Sequence, residues 1–313
     1  MATFLMLVGV PGAGKSTIAE RLATESAYEI ISSDAIRAEL YGDESIQDNP
    51  KDVFQLMHFR TIAALKKNKS IIYDATNIKR KDRMSILTSI KQANLDVYKH
   101  CVIVATQPLV CKTFNASRTR KVPEEVIDRM LKNFEVPVEQ EGWNSISLIC
   151  AAGGTYKYDS SKAREFEHNN PHHLETVGQH MEMASTAYLQ DNGGKFDELW
   201  YALRFHDEGK LYTRVNYKFV KGQPVPSKEC HFYGHQNYGA YLFLSSSSAE
   251  FFAPAENAVK IAALIEMHMQ LYFWKDGIPR KAIQFWGEEF IDKIYLINKY
   301  DKLGRLTEEK KDE

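Results

Sequence analysis

Cysteine is sparse in this chain and carries no metal or disulfide pattern. Cys101, Cys111, Cys150 and Cys230 form no C-x-x-C pair. Three of them lie in apolar surroundings, which argues against a zinc ribbon or a disulfide frame and suits reduced thiols in a cytoplasmic protein. Long apolar runs are missing too. No stretch approaches a membrane span of about 20 residues, and the N-terminus lacks the basic n-region of a signal peptide, so no membrane partner is expected. Nor does charge of either sign prevail. Forty Lys and Arg face 41 Asp and Glu, a net charge of −1, so a general electrostatic grip on a polyanion is excluded and any nucleic-acid contact must be a local basic site. What remains, 313 residues at 44% hydrophobic and 26% charged, is the composition of a soluble globular chain long enough for two domains.

Histidine is unevenly spread. Eight of the ten lie between His168 and His268, with only His58 and His100 before them, so the two halves are expected to do different chemistry. The first half opens on the apolar run Phe4 to Val8, followed by Gly9-Val10-Pro11-Gly12-Ala13-Gly14-Lys15-Ser16-Thr17. This is a G-x-x-x-x-G-K-[ST] phosphate loop set between a buried strand and the helix-forming Ile18 to Ala23. Glycines, without Cβ atoms, let successive backbone N–H groups turn towards a phosphate, and a helix starting at Lys15 aims its positive end at the same anion. Gly9, Gly12, Ala13, Gly14, Lys15, Ser16 and Thr17 are therefore the candidate ATP site. Lys15 serves the β- and γ-phosphates, and the hydroxyl of Ser16, or else of Thr17, serves Mg2+.

Strands and helices alternate as far as about residue 151, which predicts an α/β domain with a parallel sheet and helices on both faces. Ligands of such sheets sit beyond the carboxyl ends of the strands. Asp34 falls there, after the strand Tyr28 to Ile31, and so does Asp74, after Ser70 to Tyr73. Asp74 can organise Mg2+ beside the loop. Asp34 can accept a proton from an attacking hydroxyl while Arg37, three residues on, holds a phosphate of the acceptor; alternatively Asp34 caps the following helix and Arg37 is a surface charge. Further on, Arg118-Thr119-Arg120-Lys121 sets three cations in four residues ahead of Pro123. It reads as a lid whose arginines close over the transferring phosphoryl group, or as a solvated charge run.

Through Gly9 to Thr17, Ser33-Asp34-x-x-Arg37, Asp74-x-Thr76-Asn77 and the Arg-x-Arg-Lys-Val-Pro stretch, residues 1–151 resemble the phosphate-loop domain of bacteriophage-type and bacterial 5′-hydroxyl polynucleotide kinases. The resemblance implies that Asp34 is the general base on a 5′-hydroxyl, that Arg37 binds the phosphate on the acceptor's 3′ side, and that Arg118 and Arg120 bind donor phosphates. One position departs: the phage enzyme has a further arginine on the helix before the lid, where this chain has Phe114 or its neighbours, and Arg120 is the candidate replacement. Kinases of small metabolites share much of the pattern.

Apolar periodicity lapses over residues 152–165, an expected linker. Over residues 166–313 apolar residues recur at helical spacing in Thr176 to Leu189, Phe196 to Phe205, Tyr238 to Leu244, Ala255 to Met269 and Ile283 to Leu303. No strand alternation stands out, so a separate all-α domain is expected. His180, the pair His206-Asp207, His231 and His235 at i and i+4, His268 and Asp301 fall on different helices or turns, which suits a metal site assembled from facing helices. Any one of these histidines alone reads as a satisfied core residue.

Together they resemble the HD phosphohydrolase superfamily, and especially the HD domain of bacterial tRNA nucleotidyltransferases. The likeness runs through Gly178-Gln179-His180-Met181, Phe205 to Lys210, Phe232-Tyr233-Gly234-His235 with Gly239-Ala240, and Asp301-x-x-Gly304-Arg305. It implies one divalent metal on His180, His206, Asp207 and Asp301, a second on or near His235 and His268, and Lys210 on a substrate phosphate. His173, seven residues before His180, is a rival first ligand, and Glu208 stands where the family has an apolar residue.

The two halves together suggest an RNA end-healing enzyme: an ATP- and Mg2+-dependent kinase of 5′-hydroxyl ends joined to a metal-dependent hydrolase of 2′,3′-cyclic or terminal 2′- or 3′-phosphates. Similar fusions serve as end-healing enzymes in bacteria. No K-x-D-G ligase signature occurs, so sealing falls to a separate ligase. The competing readings are a small-molecule kinase fused to a nucleotide phosphohydrolase, and a nucleotide-gated binding module with a degenerate HD domain.

Overall fold

The computed structural model describes residues 1–46, 49–150, 160–170, 173–246 and 255–306. The chain divides into two units, one of Met1–Met130 with Pro137–Thr155, the other of Leu131–Val136 with Tyr156–Glu313. No helix among the described residues is long and apolar enough to cross a membrane.

In the first unit β1 (Ala2–Val8), β2 (Glu29–Ser32), β3 (Ile71–Asp74), β4 (Val97–Val104) and β5 (Ser145–Ile149) form one parallel sheet in the order β2-β3-β1-β4-β5. Helices α1 (Lys15–Glu25), α2 (Ser33–Tyr41), α3 (Pro50–Lys66), α4 (Arg80–Gln92), α5 (Pro108–Ser117) and α6 (Glu124–Leu131) alternate with the strands. The central strand β1 is apolar throughout because both faces of a parallel sheet are covered, and Phe4, Met6, Leu7 and Val8 have no exposure at all. Its register pairs Leu7 with Asp74, so the phosphate loop leaves the sheet beside the end of β3. Asn77, at φ 50°, locks this junction by donating from Nδ2 to the Leu7 carbonyl at 2.7 Å.

The second unit contains α7 (Ser160–Glu165), α8 (Val177–Asp191), α9 (Glu198–Phe205), α10 (Lys210–Thr213), α11 (His235–Leu244), α12 (Ala255–Met267), α13 (Gln270–Phe273), α14 (Arg280–Trp286) and α15 (Glu288–Leu303). It is not all-α. β6 (Val215–Val220) and β7 (Gln223–His231) form an antiparallel hairpin. Its turn, Lys221-Gly222, has both residues at positive φ, 49° and 78°, as a two-residue turn matching strand twist requires. The alternation was hidden because most of the hairpin faces solvent, so it lacks the contrast of a half-buried strand. The expected single helix from Ile283 to Leu303 is likewise two, broken at Gly287, whose φ of 79° and ψ of 156° disfavour other residues.

Residues 160–165, expected within the linker, are instead helix α7, whose Ala163 packs into a buried cluster with Val177 and Met181. Gly178 permits that approach, since a Cβ there would lie 2.8 Å from the Ala163 backbone. The remainder of that linker, residues 152–159, lies outside the described residues, as do Ser247, Ser248 and the tail from Thr307.

One buried ion pair anchors the first unit. Arg83, with no exposure, reaches the carboxylate of Glu141 from Nε at 2.8 Å and Nη2 at 2.5 Å, and Trp143 Nε1 donates to the same group at 3.1 Å. Removing Arg83 leaves the buried Glu141 carboxylate with the longer, 3.4 Å contact to Arg80 Nε in its place. Arg83→Met should therefore lower the stability of this unit by about 3–5 kcal/mol, and adding Glu141→Leu should restore most of it. Urea unfolding of the three chains tests this; a loss below about 1 kcal/mol for the single change would contradict it.

Candidate active sites

In the first unit α1 begins at Lys15 behind Gly14, which caps it at φ 99°. The loop glycines serve packing as well as phosphate access. A Cβ on Gly12 would stand 2.0 Å from the Cys111 carbonyl oxygen, and one on Gly9 would stand 2.6 Å from that of Val104, so these glycines let the loop dock on α5 and β4. Thr106 Oγ1 secures it by donating to the Ala13 carbonyl at 2.8 Å. Lys15 Nζ donates to the Val10 carbonyl at 3.0 Å, and Ser16 Oγ stands 3.5 Å from Asp74 Oδ2.

Burial pulls the Lys15 pKa below its ordinary value against the opposing field of Asp74. Burial likewise pushes Asp74 up, against Lys15. Such groups fit a site completed by an anion at Lys15 and a cation at Ser16 and Asp74. A cavity of about 590 Å3 opens along Gly12, Gly14 and Lys15 to Ile18, and is also lined by Arg21, Phe114 and Arg118. Arg21 carries no sequence motif, and Phe114 stands where the resemblance expects a further arginine.

Ser32, not Asp34, caps α2: its hydroxyl accepts from the Asp34 N–H at 3.3 Å. That leaves the Asp34 carboxylate to side chains. Arg37 Nη1 and Arg120 Nη1 both reach its Oδ1, at 2.8 and 2.7 Å. The two loop arginines therefore divide, Arg118 onto the cavity and Arg120 onto Asp34. Their loop is closed at its base by Asn115, whose Nδ2 donates to the Val122 carbonyl at 2.7 Å while its Oδ1 accepts from the Val122 N–H at 3.0 Å.

The second unit brings six candidates together. α8 starts at a capping box, Thr176 Oγ1 accepting from Gln179 N–H and Gln179 Oε1 from Thr176 N–H, and carries His180 on its buried face. α9, capped by Asp197, runs out at His206 and Asp207. Two motif glycines bring backbones close. A Cβ on Gly209 would stand 2.0 Å from the His235 carbonyl oxygen, and one on Gly304 would stand 2.8 Å from that of His180.

Each imidazole is then fixed through Nδ1, which donates to a carbonyl: His180 to Gly304 at 3.1 Å, His206 to Leu203 at 2.8 Å, His235 to Phe232 at 2.7 Å and His268 to Ile265 at 2.7 Å. A carbonyl can only accept, so in a neutral ring Nε2 keeps its lone pair. These Nε2 atoms face one another, His180 to His206 at 3.1 Å and His235 to His268 at 3.2 Å.

Asp207 lies between the pairs. Its Oδ2 is 3.5 Å from Nε2 of both His180 and His206, and its Oδ1 is 3.3 and 3.7 Å from Nε2 of His235 and His268. Oδ1 is buried without a hydrogen-bond partner. Asp301 Oδ1 completes the first group, 2.9 Å from His180. Lone pairs and carboxylate oxygens converging away from water are a donor set for cations, and His180, His206 and Asp301 on one side, with Asp207, His235 and His268 on the other, fit one or two divalent ions.

Three further candidates differ in their placement. Lys210 Nζ is bound to Asp207 Oδ2 at 2.6 Å, so its assignment to a substrate phosphate requires it to leave that carboxylate. His231 ends β7 against Ser227 Oγ. His173 precedes α8 rather than sharing its face with His180; it binds Glu175 Oε1 through Nδ1 at 2.6 Å and stacks on His168. Sequence reasoning missed Glu175, His168 and Tyr272, and gave no role to Arg305 of the Asp301-x-x-Gly304-Arg305 stretch. The last two hold Asp301 Oδ2, at 3.2 and 2.7 Å; for Arg305 the i+4 spacing from Asp301 was the available signal.

Residues 4–137 match the AAA domain family model AAA_33. They lie in the unit with the parallel five-stranded α/β sheet and carry the phosphate loop after its central strand. The chain is 23% identical over 150 residues to a bifunctional polynucleotide phosphatase/kinase of Schizosaccharomyces pombe, covering 46% of this chain and 33% of that protein. It is 27% identical over 146 residues to an L-seryl-tRNA(Sec) kinase of Methanococcus maripaludis, covering 45% and 55%. The chain thus spans a third to about half the length of these relatives. A crystal structure of a fungal RNA kinase aligns at 16% identity and a TM-score of 0.36, over 48% of this chain and 39% of that one.

The demand of the second site for positive charge shows in its protonation. Burial disfavours a charged His180, but the carboxylates of Asp301 and Glu175 outweigh it and raise its pKa to about 9. His268, buried and facing His206 and His235, is lowered to about 3. In chelator-treated protein at pH 7, long-range 1H–15N spectra should show His180 as an imidazolium and His268 as the neutral Nδ1–H tautomer. A neutral His180 at pH 7 would contradict this geometry.

Proposed function

We propose that the chain is a bifunctional RNA end-healing enzyme, acting on a 5′-hydroxyl in its first unit and on a 2′,3′-cyclic or terminal 2′- or 3′-phosphate in its second. One observation carries the bifunctional reading: Asp207 lies between two pairs of imidazoles whose lone pairs face inward. The kinase half is supported by the phosphate loop, by the carboxylate at Asp34, and by relatives named as polynucleotide and tRNA kinases.

In the first unit Lys15 and the loop N–H groups hold the donor phosphates. Asp34 accepts the proton of the attacking 5′-hydroxyl, oriented by Arg37 and Arg120. Arg37 also faces the acceptor's phosphate, and Arg118 approaches the transferring group from the cavity. Ser16 and Asp74 would hold Mg2+, and the ion would offset the charge of the donor phosphates. In the second unit His180, His206, Asp207, His235, His268 and Asp301 would hold one or two divalent ions, which would supply Lewis acidity for the hydrolysis. Tyr272 and Arg305 orient Asp301, and Lys210 is the cation closest to Asp207 that can pass to a phosphate oxygen. The product of the two reactions, an RNA with a 5′-phosphate and a free 3′-hydroxyl, is a substrate for a separate ligase. Catalysis takes place in the cytoplasm.

An RNA bearing a 5′-hydroxyl and a 2′,3′-cyclic phosphate tests both activities at once. Asp34→Asn should slow 5′ phosphorylation by on the order of a hundredfold or more and leave 3′-end hydrolysis intact, and Asp207→Ala should do the reverse. Faster phosphorylation of free nucleosides than of the oligonucleotide would favour a small-molecule acceptor instead.

Metal uptake gives an independent test. His180, protonated below about pH 9, must lose its proton to become a ligand. The affinity for Mn2+ or Zn2+ should therefore rise about tenfold per pH unit below that value, with about one proton released. Calorimetry in two buffers of different ionisation enthalpy measures the release; none would remove His180 from the ligand set.

A further inference from the structure

The hairpin β6–β7 presents a group of rings to solvent. Tyr217 and Phe219 share one face of β6, and Tyr233 joins them, with ring centroids 5.2 Å from Phe219 and 6.2 Å from Tyr217. His231 stacks parallel on Tyr233 at 5.7 Å. Phe219 is 53% exposed and Tyr233 39%, a clustered apolar surface of the kind that marks a binding face.

The charge around the rings runs against that of the chain. Residues 214–231 carry Arg214, Lys218, Lys221 and Lys228 against the single carboxylate of Glu229, while the whole chain is at −1. A polar recess of about 610 Å3 lies at the base of the hairpin, lined by Arg214, Lys228, Asn169, Asn170, Asn216 and Glu229 with Cys230. Exposed aromatics beside lysines, next to a cationic recess, suit bases that stack and phosphates that follow the strand. An added protein strand is poorly served, because Pro224 and Pro226 remove two backbone donors from β7.

The rings also adjoin the metal-binding candidates. Phe232, between His231 and Tyr233, packs on His168 at 6.2 Å, lies 5.7 Å below Lys210 Nζ, and gives its carbonyl to His235 Nδ1.

We propose that Tyr217, Phe219 and Tyr233 form a base-stacking platform for single-stranded nucleic acid, with Arg214 and Lys228 on its backbone phosphates. This deepens, and rests on, the reading of the second unit as acting on a nucleic-acid end. The platform holds the nucleotides that lead to the terminal phosphate and makes the site prefer a strand over a mononucleotide.

The test is ultraviolet crosslinking of the full chain to a single-stranded 12-nucleotide RNA containing 4-thiouridine, with peptide mapping, beside fluorescence anisotropy of the same RNA. Label on the peptide spanning residues 215–233 is expected, and blunt-ended duplex RNA should label it far less. Phe219→Ala and Tyr233→Ala should each weaken binding by on the order of tenfold. Lys218→Gln with Lys228→Gln, which leaves the rings in place, should flatten the salt dependence of binding by one to two counterions. Absence of label from that peptide in the wild-type chain overturns the proposal. So does concentration-dependent self-association lost in Phe219→Ala, which would assign the face to a second copy. Hydrolysis of a cyclic mononucleotide, which has no flanking base, reports on the metal centre alone; its absence with label still on 215–233 would reject the hydrolase reading and leave the platform standing.

Discussion

The second unit depends on the orientation of four imidazoles. Each Nδ1 is committed to a carbonyl at the end of its own turn or on a facing helix, so rotation of any ring costs a buried hydrogen bond. The consequence is that four acceptor atoms and two carboxylates point at one another inside a core that excludes water. Such an arrangement is electrostatically unsatisfied unless positive charge sits in it. The proton raised onto His180 and the ammonium of Lys210 against Asp207 are two expressions of that demand.

The first unit handles the same problem with different materials. Its cation is the half-buried Lys15 and its acid the buried Asp74, at the mouth of a loop whose N–H groups suit an anion. Around them the arginines take two positions, Arg118 on the cavity and Arg37 and Arg120 on Asp34. In both units glycines stand where backbones meet. Gly12 against Cys111 and Gly209 against His235 each occupy space in which a methyl group would collide with a carbonyl. The motif glycines are in this sense packing residues first, and they position the chemistry by letting two elements approach.

Motifs with short internal spacing could be read from the sequence. The phosphate loop, its preceding strand and the alternation that makes a parallel sheet are local patterns, and they appear as expected. Of the expected set His180, His206, Asp207 and Asp301, the fold groups three closely and sets Asp207 between them and the pair His235 and His268. The hairpin was not seen, because an exposed strand carries no contrast between a buried and a wet face. Ser32 was overlooked as the cap of α2, with Asp34 considered in its place, since either residue type suits that position. Glu175 and His168 carried no motif; they matter only because α8 and the segment before it turn back on the same core.

Residue type and local spacing determined which groups were available: a phosphate cradle in the first half, and imidazoles and acids in the second. Tertiary structure alone decided which atoms of those groups meet. Whether His180 offers Nδ1 or Nε2, whether Asp207 serves one group or lies between two, and whether Arg118 or Arg120 reaches Asp34 depend on contacts between residues tens to more than a hundred positions apart. Hydrogen-bond direction and close packing act through space, and a one-dimensional pattern does not encode them.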